Sequence, residues 1–184
     1  MAAVGHQSSS LTGYINQLVV FLVSSCFIFS LSGSCFADSY GPIDLITPIE
    51  KSELWLNPGL ASYHFDQGKD FNAGNYGFGA EYKFSSIASV TVGTFRNSNN
   101  HQSNYIGAYW QPIAIGPVNI GLVAGGFNGY SSNNNGGWFP AVLPTFTVEG
   151  KWVGLNLIVI PTIGDRVSGS LSFQLKFKVF ESTL

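Results

Sequence analysis

The chain has 184 residues, of which 45% are hydrophobic and 15% aromatic but only 10% charged, against roughly 25% charged in an ordinary globular domain. A formal net charge of −2 leaves no basic footprint and excludes nucleic acid as an expected partner. From Asn97 to Val148 there is no Lys, Arg, Asp or Glu, unlike the water-facing strands of a soluble all-β domain, whose edges carry charge.

In chain order, the first element is the apolar stretch Leu18 to Leu31. It is short for a transmembrane helix and of the right length for a secretory signal. Small residues in Ser34-Cys35-Phe36-Ala37 place signal cleavage after Ala37, so residues 1–37 form an export signal. A lipoprotein alternative through Val23-Ser24-Ser25-Cys26 fits less well, because the apolar Phe27-Ile28-Phe29 continues the stretch. Both cysteines leave with the signal, so no disulfide or thiolate chemistry is expected in the mature chain. No metal or cofactor is expected either. Residues 38–55 then read as an N-terminal periplasmic segment, interrupted by Pro42 and Pro48.

From Leu56 to Phe180 the sequence alternates in eight segments bounded by Gly, Pro, Asn or Ser: 56–65, 75–84, 89–97, 103–112, 118–129, 141–149, 152–161 and 168–180. The clearest is the last, with Leu171, Phe173, Leu175, Phe177 and Val179 on one face and Ser170, Ser172, Gln174, Lys176 and Lys178 on the other. A period of two means a strand. Low charge, an even strand number and alternating short and long connectors predict an all-β fold, an eight-stranded antiparallel transmembrane β-barrel over 56–180. Such a chain belongs in the outer membrane of a Gram-negative bacterium, as a monomer among outer-membrane lipids. Short turns face the periplasm, which puts His64 and Asn97-Ser98 near the outer rim.

In the first strand Ala61, Tyr63 and Phe65 are assigned to lipid and Leu60, Ser62 and His64 to the interior. In the second, Tyr76, Phe78, Ala80, Tyr82 and Phe84 face out and Gly77, Gly79, Glu81 and Lys83 face in. The fifth and seventh strands are apolar on both faces, at Val123 and Phe127 and at Ile158 and Ile160. The interior is therefore either a packed core or a pocket for an apolar ligand. Trp55, Trp110, Trp138 and Trp152 suit the aromatic girdles of a barrel wall. Pro144 and Pro161 remove ladder donors that lipid cannot replace. They mark a bulge, a strand end, or a lateral opening for a lipid tail.

Two histidines remain after signal removal, His64 and His101. A histidine beside a hydroxyl is the usual base for acyl chemistry near neutral pH. An isolated histidine is otherwise a structural hydrogen-bonding group.

Gly137-Trp138-Phe139-Pro140-Ala141-Val142-Leu143-Pro144, with Trp152-Val153-Gly154 and Val159-Ile160-Pro161, resembles a hairpin of the lipid A palmitoyltransferase family (PagP). Trp110-Gln111-Pro112-Ile113 and Gly121-Leu122-Val123-Ala124-Gly125 are similar to its preceding strands. Pro58 through Tyr63-His64-Phe65 resembles its first strand, and Phe95-Arg96-Asn97-Ser98 its Phe-x-Asp-Ser site. The resemblance implies an outer-membrane acyltransferase that moves an acyl chain from phospholipid to lipid A. It implies His64 and Ser98 as catalytic residues and Pro144 and Pro161 as flanks of a lateral gate for the donor lipid. Asn97 stands where the family has Asp, so Asp66 is the candidate substitute acid, and Asn97→Asp is expected to raise turnover.

His101-Gln102-Ser103-Asn104 is similar to the His-x-Ser-Asn motif of the lipid A 3-O-deacylase family (PagL). That resemblance makes His101 and Ser103 the alternative catalytic pair, for hydrolysis. A non-catalytic barrel with a structural or lipid-binding role is the remaining alternative.

Overall fold

The structure is a computed structural model that describes residues 43–182 apart from Gln67, Lys69, Asp165 and Arg166. The expected export signal and its cleavage site lie outside these residues. Among them, a two-residue strand β1 (Asp44–Leu45) precedes β2 (Glu50–His64), β3 (Gly74–Ser85), β4 (Ala88–Arg96), β5 (Gln102–Ile115), β6 (Val118–Phe127), β7 (Phe139–Glu149), β8 (Val153–Ile160) and β9 (Ser170–Ser182). A single 3₁₀ turn, Asn134–Gly136, sits in the β6–β7 connection. Strands β2 to β9 pair in sequence order, all antiparallel, and β2 closes on β9. This is an all-β, eight-stranded antiparallel barrel.

The wall begins at Glu50, earlier than Leu56, so the last part of the expected periplasmic segment is built into it. Upstream of Glu50, the chain follows the short-turn end. Asp44 and Leu45 pair with Ala114 and Ile113 of β5, and Ile49 exchanges hydrogen bonds with Ser86 in the β3–β4 turn.

Polarity is inverted relative to a soluble protein. Tyr76, Phe78, Val92, Ile106, Trp110, Val142, Trp152, Phe177 and Val179 are exposed on the outside, while Glu53, Glu81, Lys83, Gln111, Asn156, Gln174 and Lys176 are buried inside. That is the pattern of a transmembrane barrel, whose outer face meets lipid. The face assignments for the first two strands and the last agree with the alternation. In β6, Val123 and Phe127 turn inward and Leu122 outward; in β8, Asn156 and Ile158 are buried and Ile160 packs against the same cluster. Trp55 does not join a girdle. It is 0% exposed inside the barrel, where its indole donates to Glu53 (3.1 Å) and its ring lies 5.0 Å from the Lys176 ammonium and 5.1 Å from that of Lys178.

The short-turn half of the lumen holds one charged and amide network. Lys176 donates to both Glu81 oxygens (3.0 and 2.9 Å) and to Glu149 (2.8 Å), and Lys83 pairs with Glu149. Ser89 and Asn156 donate to Glu81; Asn156 also donates to Gln174 and accepts from Thr147. Gln111 completes the set through Thr145 and Thr147. No buried side-chain polar atom among the described residues lacks a partner, which a buried network requires. The long-loop half is filled by Leu60, Tyr109, Val123, Leu143, Ile158 and Ile160 and by a run of rings from Phe95 through Tyr105, Phe127 and Phe139 to Tyr130. Tyr130 lies in the β6–β7 connection, and burial pushes its phenol up to about 12. The space lined by Leu60, Tyr105, Tyr109, Val123 and Ile158 is about 30 Å³. That holds a water or two, so between these residues the interior is packed core and not a pocket for an apolar ligand.

A bulge in β2 sets the face of everything after it. Trp55 and Asn57 point inward; at Gly59 the pairing with β3 shifts, and from there Leu60, Ser62 and His64 point inward. The one-residue offset, with Gly77 and Phe78 of β3 opposite Pro58 alone, changes the parity of the alternation along the rest of β2. Gly59 has φ +104°, and a Cβ there would lie 2.4 Å from the Asn75 carbonyl oxygen.

Two stability predictions follow from these contacts. Gly59→Ala is expected to cost about 1–3 kcal/mol of backbone strain, read as a lower urea midpoint for the barrel refolded in detergent. Lys176→Met, which leaves Glu81 and Glu149 facing each other with one cation fewer, is expected to cost about 3–5 kcal/mol in the same assay. A midpoint unchanged by Lys176→Met would mean that the network does not hold the barrel together.

Candidate functional site

The inward turn at Gly59 delivers His64 to the long-loop rim at the end of β2, where it is 8% exposed. Its Nε2 lies 2.8 Å from Ser98 Oγ, and its ring stacks on Phe71 with centroids 4.4 Å apart and planes at 27°. Ser98 belongs to the β4–β5 connection, residues 97–101, and Phe71 to the β2–β3 connection. Asn72 ties the two connections together: its backbone N–H donates to the Ser98 carbonyl (2.9 Å) and its side chain to the Asn97 carbonyl (3.3 Å). Below His64, Ser62 donates to Asn75 (2.6 Å) and lies 3.0 Å from Ser172. Two histidine neighbours were not legible beforehand. Phe71 and Asn72 carry no motif, and only the folded connection brings them here.

Asn97 is held elsewhere. Its side chain, 0% exposed, donates to Ser103 Oγ and to the Gly129 carbonyl, both at 2.9 Å, and accepts from the N–H groups of Asn99 (2.9 Å) and His101 (3.0 Å). It is the internal brace of the β4–β5 turn, in which Asn100 has φ +63°. The four bonds use an amide's donors and acceptor at once, which a carboxylate cannot do. Asp66 stands two residues beyond His64, exposed, with its carboxylate accepting the Gly68 N–H at 3.0 Å. His101 is exposed and Ser103 fully buried, and no hydrogen bond joins the His101 ring to the Ser103 hydroxyl among the described residues. The Ser103 oxygen accepts from Asn97 instead.

The wall is incomplete next to this rim. The β7–β8 ladder runs only from Glu149↔Gly154 to Thr145↔Ile158. Residues 139–144 of β7 pair with β6 alone, and Val159 and Ile160 pair with β9 alone. Pro144 sits where the ladder stops and Pro161 directly after β8. A proline belongs on an edge whose missing donor has no partner to serve, so Pro140 and Pro144, four residues apart, share the unpaired side. His64 is opposite Ser170, and Ser170 is opposite Ile160. The gap edge is thus two strands from the histidine, roughly 10 Å at ordinary strand spacing.

Together these features define an eight-stranded β-barrel with a His–Ser pair at one rim and a lateral gap beside it. No protein-family model matches the chain, and no curated protein does. A solved structure, the solution NMR structure of the de novo designed TMB2.3, is similar at 18% identity over 71% of this chain and 97% of the other, with a TM-score of 0.49.

The brace at Asn97 changes the expected effect of restoring an acid. Asn97→Asp would set a carboxylate oxygen against the Gly129 carbonyl and is expected to destabilise the turn by about 1–3 kcal/mol. Limited proteolysis of the folded barrel should nick the 97–101 connection faster in this variant; cleavage at the wild-type rate would show that the amide is dispensable.

Proposed function

We propose that the protein is a PagP-like outer-membrane acyltransferase that moves an acyl chain from a phospholipid to lipid A at its outer rim. The observation that carries this reading is the 2.8 Å contact between His64 Nε2 and Ser98 Oγ, a base and a hydroxyl at hydrogen-bonding distance at the rim of the barrel. His64 is the catalytic base: it takes a proton from the lipid A hydroxyl as that oxygen adds to the phospholipid ester carbonyl, and returns it to the lysophospholipid oxygen as the carbonyl–oxygen bond breaks, while Ser98 holds the imidazole at its Nε2. The gap between β7 and β8, flanked by Pro144 and Pro161, is the entry for the donor tail. The packed interior confines that tail to the gap and the rim.

Expression in a Gram-negative host with lipid A profiled by mass spectrometry tests this. Lipid A should gain one acyl chain, His64→Ala should abolish the gain, and His101→Ala should leave it intact. Loss of an acyl chain would point instead to hydrolysis. Full activity in a folded His64→Ala barrel would sink the assignment.

A second reading, a non-catalytic lipid-binding or structural barrel, is favoured by the small internal space and by Asn97 serving the turn in place of an acid. Unchanged lipid A from a host whose outer membrane contains the folded protein would support it.

A further inference from the structure

The turn that presents Ser98 to the interior presents Arg96 to the outside. On the outer face of the wall, register places Phe78 beside Thr94 and Thr94 beside Asn104, with Ala80, Val92, Ile106 and Gly126 side by side in the next row. The Trp138 ring stands over Gly126, where an added Cβ would be 3.2 Å from ring atom Cε3. Phe78, Ala80, Val92, Ile106 and Trp138 thereby border an external groove of about 530 Å³, within the size range of ligand sites.

The groove is apolar along its length and polar at one end. Thr94 and Asn104 line that end, and Asn104 is held by the Asn128 side chain at 2.7 Å through its N–H and 3.3 Å through its amide. Two residues past Thr94 on the same face is Arg96, exposed, with Nε donating to the Asn100 carbonyl at 3.2 Å. It makes no ion pair among the described residues. Every described Lys is toward the short-turn end, and Arg96 is at the long-loop end of β4.

We propose that this groove binds one anionic phospholipid, with the phosphodiester on the Arg96 guanidinium, the glycerol esters against Thr94 and Asn104, and one acyl tail between Phe78 and Trp138. Charge complementarity selects the occupant. The Arg96 guanidinium beside the neutral Thr94 and Asn104 matches the single charge of one phosphodiester and its uncharged esters. The site is on the opposite face of the wall from His64, and its occupancy does not depend on acyl transfer.

Native mass spectrometry of the folded full-length barrel in neutral detergent, titrated with phosphatidylglycerol, phosphatidylcholine or bis-phosphorylated lipid A, tests the proposal. One phosphatidylglycerol should be retained in preference to phosphatidylcholine. Arg96→Gln should reduce that preference about fivefold, the effect of one basic residue at a lipid surface, and Arg96→Lys should keep most of it. Ala80→Phe, which fills the groove from its lipid side, should weaken both phospholipids while heat-dependent electrophoretic mobility shows the barrel folded. Equal retention of the two phospholipids, tighter retention of lipid A, or an unaltered preference in Arg96→Gln would each overturn it.

Discussion

A backbone placed in hydrocarbon has no water to satisfy it, and from that constraint the rest of this molecule follows. Each unpaired N–H or C=O there costs several kcal/mol, so the strands must close, and β2 meeting β9 removes the edges an open sheet would leave. Closure then fixes the inverted polarity, because residues that alternate along a closed wall face either lipid or a narrow lumen. Pairing lapses in mid-ladder on the β2–β9 seam, at residues 57–60 and 174–176, and at the rim between β7 and β8, where Pro140 and Pro144 remove donors from the edge that stays open.

What fills the lumen decides where chemistry is possible. Lys176, Glu81 and Glu149 with their amide neighbours close the short-turn half, and an aromatic layer occupies the other. Paired glycines make room at the boundary. A Cβ on Gly79 or on Gly93 would approach the Tyr105 hydroxyl to 2.1 or 2.5 Å, and the absence of side chains there lets that phenol reach Asn57 and Gln174, both at 3.4 Å. With the interior so occupied, a reactive pair has to be at the rim, which is where His64 and Ser98 meet.

The β4–β5 connection gives the His–Ser pair and the proposed outer groove a common support. Asn97 braces it internally, Ser98 turns in toward His64 and Arg96 turns out toward the groove. Residues two apart share a face along a strand, so it is the turn after Arg96, braced by Asn97, that lets Ser98 point the other way and one short connection serve the inside and the outside of the wall.

Strand number, the faces of β2, β3 and β9 and the inward position of His64 were legible in the sequence, because a period of two in a chain almost free of charge admits few arrangements. That His64 and Ser98 lie at the same rim was legible in the alternation of short and long connectors; their contact was not, since 34 residues separate them and only the folded connection brings them together. The faces of β6 and β8 were not legible: apolar residues on both faces carry no periodic signal, and only neighbours across the lumen decide which side is buried. Trp55 and Asn97 were settled by partners that no local pattern names, a lysine some 120 positions away in the first case and the Gly129 carbonyl in the second. The sequence by itself determined an alternating barrel with a histidine at its rim, because alternation is a local property. The closing register, the filled lumen, the gap at β7 and the two-sided turn were decided by the tertiary structure, because each depends on residues that become neighbours only when the wall closes.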